Sequence, residues 1–300
     1  MSFSSEIKDE ICHIGAADDC CARAELASVF LMNRANGAPG DRLITENAAF
    51  ARRAYGLLRK LYGAPPDIIV SKNRRLKKNA TYVVKIDKEM DLARQPGDAP
   101  TLKKLTKKRC CKKAALRGAF LAAGSITDPE KLYHLEIYCK DGALAEFFSG
   151  LMAPFGLGPK ITERAEYFVL YVKDSGKIVD FLNVIGAHQA LLSLENTRIL
   201  KGMRNDVNRA VNCETANLEK TVNASLRHIS NIIYIRDTIG FRSLPENLRE
   251  IAAARLDHRE ISLKELGDML SPPLGKSGVN HRLRKLDLIA ENARGNHPPI

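Results

Sequence analysis

Two kinds of hydrophobic pattern alternate along the first two thirds of the chain. Apolar residues recur at helical spacing over Leu26–Ala35 and Ala48–Tyr62, whereas β-branched and aromatic residues form short runs such as Tyr82–Ile86 and Tyr167–Val172. The helical spacing predicts amphipathic helices, and the short runs predict strands. The chain therefore begins with mixed helix and strand.

The same order of elements occurs twice. After the run Leu26–Ala35 we predict, in order, a strand near Leu43–Thr45, a helix at Ala48–Tyr62, strands at Asp67–Ser71 and Ala80–Ile86, and a helix at Lys88–Arg94. After the run Leu116–Ser125 we predict a strand at Tyr133–Tyr138, a helix at Gly142–Pro154, strands at Lys160–Glu163 and Tyr167–Val172, and a helix at Gly176–Ile185. Each copy is too small to bury its own sheet face, so two copies predict one pseudo-two-fold α+β domain.

Small residues cluster in both helical runs that open the copies. Ala27 and Ser28 lie in the first, and Gly118, Ala119 and Ala122 lie in the second. Small side chains let two helix backbones approach closely, so we expect these two helices to pack against each other.

The last third of the chain reads as helical. A helix at about Ala187–Met203 is followed by the segment Asn217–Ile235, whose apolar residues Leu218, Val222, Leu226, Ile229 and Ile233 form one helical stripe. The simplest interpretation is a core face that docks the tail or joins two domains. Gly240 then breaks the chain, and three short helices follow.

Start and stop signals define these three helices. Ser243–Glu246 and Ser262–Glu265 both have the capping-box pattern, and Ile261 with Leu266 has the spacing of a hydrophobic staple. Ser271–Pro273 ends the second helix after Leu270, and the third runs from Lys276 to about Ile289.

The third short helix has one apolar and one polar face. Val279, Leu283 and Leu286 share a face, and the opposite face and its flanks are polar or basic. This could be a solvated basic helix in a three-helix bundle, but two helices joined by a tight turn favour a helix-turn-helix that reads the major groove. The predicted DNA-binding residues are Lys276, Ser277, Asn280, His281, Arg282, Arg284 and Lys285.

Charge agrees with a polyanionic partner. Lys and Arg total 47 against 35 Asp and Glu, a net charge of +12, which favours nucleic acid or an anionic surface. Two basic runs are either solvated surface or phosphate contacts, and their residues are Lys72, Arg74, Arg75, Lys77, Lys78, Lys103, Lys104, Lys107 and Lys108. No apolar stretch reaches the roughly 18 residues that cross a membrane, and the N-terminus lacks signal-peptide character, so we expect a cytoplasmic protein.

The seven cysteines include two adjacent pairs. Cys20-Cys21 and Cys110-Cys111 each lie five residues before a run that opens a repeat. A metal site is conceivable, but adjacent cysteines lack the C-x2-C spacing of zinc knuckles. We therefore expect reduced, partly buried thiols at helix starts, with no metal and no cofactor.

The run Leu116–Ser125 resembles the LAGLIDADG helix of homing endonucleases, and Leu26–Ala35 resembles a weaker second copy. In that family the last acidic residue of each motif holds the divalent metal that activates water against a phosphodiester. The matching positions here are Asn33 and Ala123. Neither ionises, so the resemblance implies an inactive domain and a protein that is not an enzyme. A nuclease remains the competing hypothesis.

Longer motifs resemble the WhiA family of bacterial proteins. They are Ser2–Ser5, Cys20–Leu26, Arg117–Ser125 and Pro273–Leu286, with departures at Gly275, where serine is expected, and Ala123, where glycine is usual. The resemblance implies an inactive LAGLIDADG-like domain at 1–206, with repeats about 18–95 and 110–200, and a linker helix and helix-turn-helix domain at 207–300.

For function, the resemblance implies a nucleoid-associated transcription regulator that binds double-stranded DNA, with a role in cell division, chromosome segregation or sporulation. It also implies a WhiB-type regulatory protein as partner. An interaction scaffold whose duplicated domain binds another regulator, with DNA secondary, is the third hypothesis.

Overall fold

The computed structural model describes residues 2–15, 18–35, 42–63, 65–72, 80–85 and 99–296. The chain divides into two compact units, Met1–Gly202 and Met203–Ile300, whereas the sequence places the boundary at 206/207. The helices are α1 Phe3–Cys12, α2 Asp19–Ala35, α3 Ala48–Tyr62, α4 Ala99–Leu105, α5 Arg109–Ala123, α6 Gly142–Met152, α7 Ser175–Ile185, α8 His188–Thr238, α9 Glu246–Asp257, α10 Leu263–Asp268 and α11 Lys276–Asn296. The strands are β1 Arg42–Thr45, β2 Asp67–Lys72, β3 Ala80–Lys85, β4 Gly124–Ile126, β5 Leu135–Cys139, β6 Lys160–Arg164 and β7 Tyr167–Val172.

Each predicted repeat supplies one antiparallel sheet to the first unit. The strand order is β1-β3-β2 in the first sheet and β4-β5-β7-β6 in the second. Val84 pairs with Leu43 on one side and Ile68 on the other, and Leu135 pairs with Val172. Most buried residues of both sheets, among them Leu43, Val84, Leu135 and Val172, belong to one hydrophobic cluster. The predicted duplicated α+β domain is therefore confirmed.

Helices α2 and α5 pack along each other at the centre of this core. A Cβ on Gly118 would overlap the carbonyl oxygen of Glu25 and would lie 3.1 Å from the Cβ of Ser28. Phe30 and Phe120 are 1% and 0% exposed. Glycine at this crossing lets the two backbones touch, as the small residues predict.

Several boundaries in the first unit differ from the predictions. Helices α2 and α5 begin at Asp19 and Arg109, earlier than the predicted runs from Leu26 and Leu116. Both cysteine pairs lie in their first turns, so the expected position of the thiols at helix starts is confirmed. Helices α1 and α4 and strand β4 were not predicted; they are short and their apolar pattern is brief. The helix predicted at Lys88–Arg94 lies outside the described residues.

Helix α8 is one continuous helix of 51 residues, where the sequence predicts a helix and a separate apolar stripe. The interpretation of that stripe as a core face is wrong for its first half. Leu218, Val222 and Leu226 are 65%, 46% and 59% exposed, and within this stripe burial begins at Ile229, which is 8% exposed. Helical spacing shows that apolar residues share a face; it does not show what covers that face.

The core of the second unit joins the end of α8 to α9, α10 and α11. It contains Ile232, Ile251, Leu266 and Leu283, each 0% exposed. None of the described helices combines the length and apolar character needed to cross a bilayer.

One of the two capping boxes forms. Ser262 accepts from the backbone N–H of Glu265, and the Glu265 carboxylate accepts from the N–H of Ser262. The predicted box at Ser243 is wrong: α9 begins at Glu246 with Pro245 as its N-cap residue. The turn after Gly240 continues as one turn of 3-10 helix, in which the Ser243 hydroxyl donates to the carbonyl of Gly240 at 2.7 Å. Helix α9 has no side-chain cap hydrogen bond.

Candidate DNA-binding site

The turn between α10 and α11 is held tightly against α10. The backbone N–H of Leu274 donates to the carbonyl of Gly267 at 2.9 Å. A Cβ on Gly267 would overlap the carbonyl oxygen of Leu274 and lie 2.9 Å from Cγ2 of Val279. Only glycine permits this approach, so this residue sets how α11 leaves the turn.

Helix α11 buries one face and presents the other. Val279, Leu283 and Leu286 are at most 1% exposed. The predicted base-reading residues Ser277, His281 and Arg284 are exposed, Asn280 is half-buried, and the flanking Lys276 and Lys285 are exposed. The structure thus brings six of the seven predicted residues to or near one free surface.

Asn280 lies at the edge of a groove between α8, α10 and α11. Lys220, Lys264 and Lys276 line the same groove. Lys220 and Lys264 are not apparent from the sequence as part of a site, since they lie on other helices and only the tertiary packing brings them next to α11. Together with Lys276 they extend its positive surface.

Arg282 differs from the other predicted contacts. Its guanidinium Nη1 donates to the carbonyl of Asn247 at 3.2 Å and lies 3.7 Å from the Glu250 carboxylate. Both partners belong to α9, so this arginine fixes α11 onto α9.

A buried carboxylate fixes the other side of α11. Asp287 accepts from the Asn231 amide at 2.8 Å, and its carboxylate lies 3.4 Å from Nε2 of His228 and 3.6 Å from Nε of Arg227. His228 is 3% exposed, and burial lowers the pKa of its imidazole although Asp287 raises it. Desolvation disfavours the charged ring, so His228 is neutral and buried. The sequence offered one signal, an aspartate on the apolar face of α11.

The basic runs of the first unit are only partly described. Lys103, Lys104, Lys107 and Lys108 are exposed around the start of α5. Lys72 is the last residue of β2, and Arg74, Arg75, Lys77 and Lys78 lie outside the described residues. Exposure is compatible with both solvated surface and phosphate contact.

Asn33 and Ala123, which the resemblance matches to the catalytic acids of LAGLIDADG helices, make contacts within the first unit. The Asn33 amide is 8% exposed and donates to the carbonyl of Arg42 at 2.7 Å. Ala123 is half-buried and packs against the core. Helix α2 also carries a buried carboxylate that the sequence did not reveal. Glu25 accepts from Nη2 of Arg53 at 2.9 Å and lies 3.2 Å from Nη1 of Arg117.

Family models match almost the full length of the chain. The WhiA N-terminal LAGLIDADG-like domain matches 19–97, the WhiA LAGLIDADG-like domain matches 112–204, and the WhiA C-terminal helix-turn-helix domain matches 207–290. The chain belongs to the WhiA family. The helix-turn-helix model of this family spans α9, α10 and most of α11, which supports a DNA-binding role.

Proteins named WhiA are similar in sequence to nearly the whole of this chain. Proteins described as "Probable cell division protein WhiA" are 50% identical in Ruminiclostridium cellulolyticum, covering 99% of both chains, and 46% identical in Alkaliphilus metalliredigens, covering 98% of this chain and 99% of that one. The crystal structure of full-length DUF199/WhiA from "Thermatoga maritima" is 27% identical, covers 97% of this chain and 99% of that one, and has a TM-score of 0.59. The WhiA fold therefore spans both units.

Proposed function

We propose that this WhiA-family chain is a non-enzymatic, sequence-specific binder of double-stranded DNA that regulates transcription, with α11 in the major groove. The carrying observation is the free face of α11, where Ser277, His281 and Arg284 are exposed while the opposite face is fully buried. Arginine bonds guanine with two hydrogen bonds and asparagine bonds adenine in the same way, which suits Arg284 and Asn280. Lys276 and Lys285 flank this face and suit phosphate contacts.

We propose that its target genes act in bacterial cell division, chromosome segregation or sporulation. We also propose that the protein is associated with the nucleoid. The name shared by the relatives, "Probable cell division protein WhiA", supports the first of these. A WhiB-type protein partner stays a prediction from the family resemblance.

The absence of catalysis is part of the proposal. Asn33 carries no charge, and its amide is engaged by the backbone of β1. Ala123 has no metal-binding atom in its side chain. Two-metal phosphodiester cleavage needs anionic ligands beside the phosphate, and neither position supplies one. Magnesium-dependent nicking of plasmid by the purified full chain, abolished by chelator, would contradict this part.

The test of the reading face compares two arginines of the same helix. DNA recovered by the full chain from a random-sequence pool defines the preferred site. Arg284→Ala should weaken binding to that site by about 1–3 kcal/mol and relax its sequence preference, without changing thermal stability. Arg282→Ala is the matched control. It removes contacts to α9, so we expect its main effect to be a lower thermal stability.

Two results would overturn the proposal. If Arg284→Ala keeps both affinity and preference, α11 does not read the bases. If mapping across the genome finds uniform coverage instead of discrete promoters, the protein organises the chromosome and does not regulate genes.

A further inference from the structure

The two cysteine pairs meet in the folded chain. The Sγ atoms of Cys20, Cys21, Cys110 and Cys111 all lie within 4.8 Å of one another. Within the pairs the Sγ–Sγ distances are 4.0 Å and 3.9 Å. One pair belongs to α2 and the other to α5, so the packing of the duplicated helices brings together residues that are far apart in the sequence.

The spacing of the four sulfurs is close to that of a mononuclear metal site. A tetrahedral zinc ion with Zn–S bonds of about 2.3 Å separates its four sulfurs by about 3.8 Å. A disulfide would need sulfurs about 2.05 Å apart, which neither adjacent pair approaches. A [4Fe–4S] cluster is larger than a single ion, so the four cysteines that hold it lie farther apart. The set therefore fits a single ion with four thiolate ligands.

Burial raises the pKa of Cys21 and Cys111, so it opposes the thiolate form, and positive charge near the sulfurs acts in the other direction. The cysteines are the second and third residues of α2 and of α5, so two helix N-termini converge on the sulfurs. Each N-terminus carries a partial positive charge and stabilises nearby anions. The exposed Lys107, Lys108 and Arg109 add positive charge at the start of α5. Asp19 is also in the first turn of α2, where it lies 3.5 Å from Lys60. The three basic residues at the start of α5 therefore oppose the two negative charges that remain when four thiolates bind one Zn²⁺.

The site also has an apolar floor and an open side. Ala24 and Ala114 beneath the sulfurs are 0% and 2% exposed, and Cys21 and Cys111 are 6% and 1% exposed. Cys110 is exposed. An ion can therefore enter from the side of Cys110 and reach ligands that are shielded from water.

We propose that Cys20, Cys21, Cys110 and Cys111 form a tetrathiolate zinc site that clamps the first turn of α2 to the first turn of α5. The clamp joins the two repeats of the first unit at the start of their central helices. This replaces the expectation of four unlinked thiols, which rested on the spacing within each pair alone. The site is independent of the free face of α11 and of the proposed reading of DNA.

The test uses the full chain, purified under reducing conditions without chelator. Elemental analysis should give one zinc per chain. Replacing zinc by Co²⁺ should give the strong near-ultraviolet sulfur-to-cobalt band and the red d–d bands of tetrahedral thiolate coordination. This measurement needs no substitution, so it decides even if cysteine variants fail to fold.

Variants then locate the ion. Cys20→Ser and Cys110→Ser should each reduce the zinc content toward zero and remove or shift the cobalt bands. Cys213→Ser is the matched control, since Cys213 is exposed on α8, and it should keep one zinc per chain. Zinc retained equally by all three variants, cobalt spectra without thiolate bands, or a metal-free chain whose mass shows a disulfide among these cysteines would each overturn the proposal.

Discussion

In each unit a glycine lets two structural elements approach closely, and the contact has a different consequence in each. In the first unit Gly118 of α5 lies against the backbone of α2, and in the second Gly267 of α10 lies against the turn before α11. Both contacts exclude a Cβ. The first closes the core of a duplicated domain, whereas the second sets the direction of a helix that projects a polar face.

The polar residues of these helices show the consequence. Along α2 the carboxylate of Glu25 is bound by two arginines, and the amide of Asn33 is bound to β1. Along α11 the side chains of Ser277, His281 and Arg284 are exposed. Polar groups that are already paired and buried contribute to stability, and exposed ones are available for binding. In this chain the polar groups Glu25 and Asn33 of α2 are held inside the first unit, and the DNA contacts that we propose lie on the exposed face of α11 in the second unit.

We expect the largest loss of stability from a substitution that breaks the buried ion pairing of the first unit. Glu25→Ala leaves Arg53 and Arg117 buried without their carboxylate, and should cost about 3–5 kcal/mol of unfolding free energy. Chemical denaturation of the full chain measures it. Glu195→Ala is the control, because the partly exposed Glu195–Arg198 pair should contribute about 0.3–0.5 kcal/mol. Equal losses in the two variants would show that Glu25 is not a buried anchor.

The next effect concerns the glycine contact of the second unit. Gly267→Ala forces a Cβ into the carbonyl of Leu274 and should cost about 1–3 kcal/mol through overpacking, with loss of DNA binding. Gly278→Ala is the matched control in α11, where a Cβ would meet the Leu274 side chain at ordinary contact distance, its nearest atom being Cδ2 at 3.4 Å. That variant should be neutral or slightly stabilising in unfolding experiments. A Gly267→Ala protein with unchanged stability and DNA affinity would contradict the role of this contact.

The smallest effect is a pH dependence confined to the second unit. Burial lowers the pKa of His228 below its usual 6.5, and Arg227 and Arg255 also lower it. Above about pH 6.5 the ring is neutral in both the folded and the unfolded state, so its contribution to the free energy of unfolding is complete. As the pH falls below that value, the unfolded state binds a proton more readily than the folded state, so stability decreases.

His228→Gln should flatten this slope in thermal unfolding followed across pH. His258→Gln, at an exposed position after α9, should keep the slope of the unaltered chain. An unchanged slope in His228→Gln would assign the pH dependence to another group.

The local sequence pattern was sufficient to predict the helices and strands that are long or have clear start and stop signals. The helix Ala48–Tyr62 and the strand Tyr167–Val172 have the predicted bounds, and the Ser262 capping box forms as expected. The apolar face of α11 is also buried as predicted, because one periodic helix needs only one core to cover it. Its free face could be named residue by residue for the same reason.

What the sequence by itself determined is therefore the family, the duplication and the polar face of α11, since each is carried by residues close together in the chain. Only the tertiary structure decided which side chains meet across long sequence distances. It turned Arg282 toward α9, left Leu218 and Val222 exposed, enclosed Glu25 between two arginines, and brought Cys20 and Cys21 to Cys110 and Cys111. Periodicity records which residues share a face, but partners depend on how helices pack, and packing is settled by the whole core.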